Sequence, residues 1–88
     1  MKWFVYSLLS LKDGGLYIGM TSDVSRRVDE HNRGYHRSTR VRAPFEVIYA
    51  KEFHSRPVAR RHEKFLKSTR GREMLRAVGR GAEGGVEE

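Results

Sequence analysis

Cysteine is absent from the 88 residues, which excludes disulfides and thiolate metal sites. The four histidines fall in no zinc-finger spacing. No apolar run approaches the roughly 20 residues needed to cross a bilayer. No small-residue cleavage site follows an apolar stretch behind Lys2, so no secretory signal is read. The expectation is a soluble, cytoplasmic, single-domain chain. Leu, Ile, Val and Phe nevertheless supply 20 of the 88 residues, enough to lift the chain above the composition of disordered sequences.

Acidic residues are also scarce. There are 11 Asp and Glu against 18 Lys and Arg, and residues 1–80 alone carry a net charge of +10. Arginine outnumbers lysine 13 to 5. Arginine is the better partner for bidentate phosphate contacts, whereas solubility alone could be met with lysine. The balance favours a polyanion, most simply nucleic acid. A membrane surface is disfavoured, because no helix combines a basic face with a broad apolar one.

The order of elements follows from local signals. Residues 3–9 read as a strand buried on both faces. Asp13-Gly14 marks a hairpin with positive φ at both central positions, and residues 16–21 return antiparallel. Asp23 caps a helix running to about Arg33, and Gly34 ends it. Residues 35–43 have no period and read as a basic loop. Pro44 opens a strand over 45–53 whose alternation puts Phe45, Val47, Tyr49 and Phe53 on one face. Ser55 caps a helix with Pro57 in its first turn, extending to about Ser68, and a short helix follows over 71–78. Residues 79–88 are too poor in apolar content to fold and read as a flexible Gly/Glu-rich tail beyond a domain at 1–78. The expected fold is α+β: a three-stranded antiparallel sheet flanked by helices, in the order β-β-α-β-α-α.

Helical spacing sorts the candidate functional residues. A step of about 100° per residue puts Val24, Val28 and His31 in one narrow stripe, with Arg27 on its edge and Arg26 facing solvent. Arg27 and His31, four apart, could hold a phosphate and move a proton beside it. Each also fits a plainer role, as a snorkelling arginine and a boundary histidine. On the next helix Glu63 flanks Ala59 and Leu66, away from Arg60, Lys64 and Lys67. It is the sole acid between Arg56 and Arg72. It suits an i,i+4 pair with Lys67, or an Mg²⁺ site completed by water and substrate phosphate. Tyr6 and Tyr17 lie on paired strands, and mid-strand Gly19 marks a bulge or a close approach. Arg26, Arg37, Arg40, Arg42 and Lys67 are the candidate nucleic-acid contacts, with Tyr35 and His36 beside the loop arginines.

In order and spacing, Phe4-Val5-Tyr6 and Tyr17-Ile18-Gly19 resemble the opening of GIY-YIG nucleases. The resemblance continues through Thr21, Asp23, Arg27, His31-Asn32 and Gly34, then Arg61-His62-Glu63-Lys64, Leu66-Lys67-Ser68 and Gly71-Arg72-Glu73, over roughly residues 2–77. It implies a three-stranded sheet flanked by helices and metal-dependent hydrolysis of DNA phosphodiesters, as in an excision-repair nuclease subunit. Tyr17 would deprotonate or orient the attacking water, with Tyr6 beside it on the phosphate or a metal-bound water. Arg27 would stabilise phosphoryl charge, His31 would transfer protons or touch substrate, and Glu63 would hold one Mg²⁺ or Mn²⁺. No asparagine follows Asn32, although some relatives carry one beyond the metal-binding glutamate. With a tail expected in place of a DNA-binding domain, targeting would come from the basic surface, a protein partner or unusual DNA structure. DNA is the expected partner, with RNA open, and the chain a monomer or homodimer.

Overall fold

The computed structural model describes the backbone of residues 2–84 and the side chains of residues 2–78. β1 (Trp3–Ser10) and β2 (Leu16–Thr21) pair antiparallel, and β3 (Phe45–Phe53) pairs antiparallel with the other edge of β1, giving the order β2-β1-β3. β1 is thus the central strand, and Val5, Tyr6, Ser7 and Leu8 are all buried because both faces of the sheet are covered. The hairpin turn is longer than the Asp-Gly dipeptide predicts. Only Gly14 takes a positive φ, of 75°, while the Asp13 carboxylate accepts from the Gly15 amide at 2.7 Å.

β3 departs from simple alternation. Its register passes from Ser7 opposite Tyr49 to Leu8 opposite Val47, leaving Ile48 as an extra residue. A bulge of this kind reverses which face later side chains occupy. The expected common face is therefore split. Phe45 packs with Tyr6 and Leu8, Tyr49 and Phe53 pack on the opposite core, and Val47 is 42% exposed.

α1 (Val24–Asn32) starts where Asp23 accepts from the Arg26 amide at 3.0 Å, and beyond it Gly34 takes a φ of 80°. Val24 and Val28 pack against Tyr6, Leu8 and Phe45. α2 (Arg56–Leu66) and α3 (Thr69–Gly84) cover the other face, where Ala59, Leu66 and Leu75 pack with Val5, Leu16 and Ile18. α2 stops at Leu66, short of Ser68, because Ser68 caps α3: its hydroxyl accepts from the Gly71 amide at 3.1 Å. A Cβ on buried Gly71 would collide with the Phe65 carbonyl and the Leu66 backbone, so this glycine sets how closely α3 leaves α2. α3 runs past the expected end at 78, since extending an anchored helix is easier than nucleating one. Of the expected tail, residues 85–88 lie outside the described residues.

The segment between α1 and β3 contains a 3-10 turn, Arg40–Arg42, and is fastened to the β1–β2 hairpin. Ser10 Oγ donates to the Arg42 carbonyl at 2.6 Å, Lys12 Nζ to the Val41 carbonyl at 3.0 Å, and the Leu11 amide to the Pro44 carbonyl at 2.8 Å. Asn32 fixes the start of β3, accepting from the Phe45 amide at 2.7 Å and donating to its carbonyl at 3.2 Å. Among the described residues no helix is long and apolar enough to cross a membrane.

Candidate active site

β1 and β2 carry Tyr6 and Tyr17 onto the α1 face as diagonal neighbours, with ring centroids 6.2 Å apart. Tyr6 is fully buried and Tyr17 half-buried. Gly19 stands opposite Tyr6, and a Cβ there would lie 2.8 Å from Tyr6 Oη and 3.2 Å from Tyr17 Cε2. The mid-strand glycine therefore marks a close approach by the two phenols rather than a bulge.

His31 enters this group from the buried stripe of α1, as its spacing predicts. It is 1% exposed, and its ring lies 4.6 Å from that of Tyr17. Its Nε2 is 3.2 Å from Tyr6 Oη and its Nδ1 is 2.8 Å from Thr39 Oγ1. The Thr39 hydroxyl gives its one proton to the His36 carbonyl at 3.3 Å, so it accepts from His31 Nδ1–H. Nε2 is left with the lone pair, and Tyr6 donates to it. Burial, reinforced by nearby His36 and Arg27 and opposed by Glu30, pulls His31 down to about 4, so its ring is neutral at pH 7. Burial, then the Tyr17 phenol, pushes the Tyr6 hydroxyl above the usual tyrosine range, while Arg27 pulls the other way.

Arg27 lies on the edge of the α1 stripe, with its side chain 32% exposed. Its Nε is buried without a hydrogen-bond partner among the described residues, and Glu30 Oε1 stands off at 3.8 Å. The same Glu30 oxygen accepts from His36 Nε2 at 3.1 Å, and the His36 ring lies 4.5 Å from that of His31, tilted by 37°. A buried donor left unpaired costs about 1–3 kcal/mol. Beside two phenols and a neutral imidazole, that donor is suited to an anion.

Compared with known families, residues 2–76 match the GIY-YIG catalytic domain. The chain belongs to the GIY-YIG family. A UPF0213 protein of Desulfotalea psychrophila is 37% identical over 90% of this chain and 76% of its own length. Another, from Nitratidesulfovibrio vulgaris, is 46% identical over 74% of this chain and 59% of its own. The solution NMR structure of a UPF0213 protein from Bacillus halodurans superposes with a TM-score of 0.54 at 38% identity, covering 89% of this chain and 85% of that one. GIY-YIG domains are nuclease domains.

Within this GIY-YIG fold Glu63 belongs to a different helix from Arg27 and His31. It is carried by α2, which packs on the other face of the sheet, and it is buried between Ala59 and Leu66. The sequence reading turned it away from Arg60 and Lys67. Its Oε1 instead accepts from Arg60 Nη1 at 2.6 Å, and its Oε2 pairs with Lys67 Nζ at 3.3 Å. The buried side of α2 centres on Ala59, Glu63 and Leu66, leaving Phe65 exposed, and spacings of three and four residues bring Arg60 and Lys67 beside the carboxylate whichever face is buried. Among the described residues no three His, Asp or Glu gather into a metal cage. A lone carboxylate with hard oxygen donors still fits Mg²⁺ or Mn²⁺, which complete their coordination from water and substrate phosphate. Both ion pairs end in well-exposed cations, which yield readily.

The candidate nucleic-acid contacts divide similarly. Arg26, Arg37 and Arg40 are exposed. Arg42 is committed internally, with Nε 3.2 Å from Asp13 Oδ2 and Nη2 donating to the Leu16 carbonyl at 3.3 Å. Thr39 and Glu30 were missed as site residues, and His36 was expected only as a loop contact to nucleic acid. Spacing from Arg26 and Arg27 could have found Glu30. Nothing in an aperiodic loop singles out Thr39.

Proposed function

We propose that this GIY-YIG protein is a divalent-metal-dependent endonuclease that hydrolyses DNA phosphodiester bonds in repair or processing. The observation carrying the reading is the Arg27 Nε–H, buried without a hydrogen-bond partner among the described residues, beside Tyr6, Tyr17 and neutral His31. A non-bridging phosphate oxygen satisfies that donor, and the guanidinium then stabilises the charge that builds on the phosphoryl group. Tyr17, the more accessible phenol, orients the attacking water. Tyr6 donates to His31 Nε2, whose lone pair Thr39 keeps aimed at it, and so presents its own oxygen lone pairs to the attacking water. Glu63 would hold the metal, which when bound supplies charge neutralisation and a more acidic water. Hydrolysis adds that water to phosphorus and breaks one P–O ester bond, and the leaving oxygen takes a proton.

One observation favours a second reading, a basic binding module that cuts little: both Glu63 oxygens are already ion-paired within α2. Cleavage of labelled duplex, single-stranded, flap and branched DNA separates the two. The nuclease reading expects cutting with Mg²⁺ or Mn²⁺, none in EDTA, and a loss of at least a hundredfold in Arg27→Ala and Glu63→Ala. Wild-type protein that binds every substrate and cuts none would establish the module instead.

A further inference from the structure

Positive charge is not shared evenly between the two faces of the sheet. Residues 22–43, comprising α1 and the loop after it, hold six Arg or Lys against three Asp or Glu. Arg26 and Arg27 share Glu30 at 3.9 and 3.8 Å, Arg33 pairs with Asp29, and Arg42 pairs with Asp13. Residues 56–76, comprising α2 and the first half of α3, hold eight against two. Arg56 and Lys64 have no carboxylate partner among the described residues, and Arg60 and Lys67 share Glu63 between them.

These cations are also aligned. At about 100° per residue, Arg56, Arg60 and Lys64 on α2 and Lys67 at its C-terminal cap fall within roughly 80° of one another, and all four are exposed. Spread over 12 residues, the stripe extends about 16 Å along the helix, enough to meet several phosphates of one strand. Arg56 is braced over the Trp3 ring at 5.5 Å. The aromatic residue exposed on α2, Phe65, points roughly to the far side of the helix from the stripe. The stripe therefore offers phosphate contacts without a surface for stacking bases, which suits a paired strand better than an unpaired one.

We propose that the main grip on nucleic acid is this α2 stripe, engaging the sugar–phosphate backbone of duplex DNA, rather than the arginine loop that joins α1 to β3. The assignment rests on the nuclease reading for its substrate and adds where that substrate is held. It also gives Glu63 a context: the one acid beside the stripe lies where a phosphate strand would run, between two cations that can turn outward to meet it.

The test is fluorescence anisotropy of a labelled duplex DNA in EDTA across a salt series, with the full chain. Arg56→Ala/Lys64→Ala is compared with Arg37→Ala/Arg40→Ala, all exposed positions, and folding is checked by circular dichroism. The stripe variant is expected to lose about two units from the slope of log affinity against log salt, near 0.9 for each phosphate contact removed. The loop variant is expected to keep most of the wild-type slope. Should the stripe variant lose its fold, Lys64→Glu alone must still weaken binding more than Arg40→Glu. The proposal is overturned if the wild type does not bind, if the loop variant suffers the larger loss, or if the single strand binds tighter than the duplex. Parallel cleavage with Mg²⁺ keeps the two readings apart. Binding through the stripe without cutting removes the nuclease and leaves the surface, while cutting with stripe-independent binding does the reverse.

Discussion

His31 and Arg27 read alike in the sequence, as polar residues on or beside a narrow apolar stripe, and burial gives them different chemistry. The His31 ring is fully enclosed among Tyr6, Tyr17, His36 and Thr39, with Arg27 and Glu30 nearby. With a folded value near 4 against an ordinary 6.5, protonation favours the unfolded chain. Stability from this group is complete above about pH 6.5 and is lost as pH falls toward 4, at no more than about 1.4 kcal/mol per pH unit. Melting temperature measured across that window should fall, and His31→Gln should flatten the dependence. Thr39→Val removes the acceptor for Nδ1–H and frees His31 to take either tautomer. We expect a tenfold or greater drop in the cleavage rate, an altered pH–rate profile, and recovery in Thr39→Ser. Equal loss in Val and Ser would leave Thr39 a packing role only. Spacing made His31 and Arg27 legible because a helix converts position into direction. Thr39 was illegible because its direction comes from a turn whose shape depends on the hairpin beneath it.

At the scale of elements, strand and helix types follow from turn and cap residues, and the misreadings cluster where elements meet. The face of β3 was misread because alternation assumes one residue per step, and Ile48 breaks that count. The bulge corresponds to no glycine or proline, so composition alone does not mark it. Gly71 presents the opposite case, a residue that reads as a helix start and proves to be a contact. Because a Cβ there meets main chain rather than a flexible side chain, Gly71→Ala should destabilise the fold despite its better helix propensity. A cost of about 1–3 kcal/mol is expected from overpacking, measured by urea denaturation. A neutral or stabilised variant would mean that α3 can shift without penalty. Gly19→Ala tests the same principle in β2: displacing the Tyr6 and Tyr17 rings should reduce cleavage more than it reduces stability.

Across the whole molecule, the proposed site draws on helices from both faces of one sheet. The tyrosine–histidine group and Arg27 occupy the α1 face, and Glu63 with the densest positive charge belongs to the α2–α3 face. The sequence names both sets of residues, but only the topology reveals the partition, because α1 and α2 are amphipathic in the same way and nothing local says which side each covers. β2 is the strand they have in common, at the edge of the sheet, packed by α2 on one side and carrying Tyr17 on the other. Metal removal and salt should therefore act separately: EDTA should abolish cutting while leaving duplex binding in place, and raised salt should weaken binding with metal present or absent.

The fastening of the loop to the hairpin has a consequence for proteolysis. Arg37, Arg40 and Arg42 offer trypsin three sites within six residues of a connecting segment, ordinarily an invitation to early nicking. Here the backbone around Arg40 and Arg42 is held by Ser10, Lys12 and Leu11, and Arg42 itself is pinned to Asp13. The Gly15 amide, with help from Ser10 and Arg42, holds the Asp13 carboxyl below its usual range, so its charge persists into mildly acidic solution. A protease must bend the chain away from its partners before it can cut. Asp13→Ala should therefore expose Arg42 and shorten the lifetime of the intact chain in dilute trypsin, with the first fragments ending in this segment. The same nick would separate α1 from β3 and release Thr39 from His31, so the decay of cleavage activity and the decay of the intact band should run together.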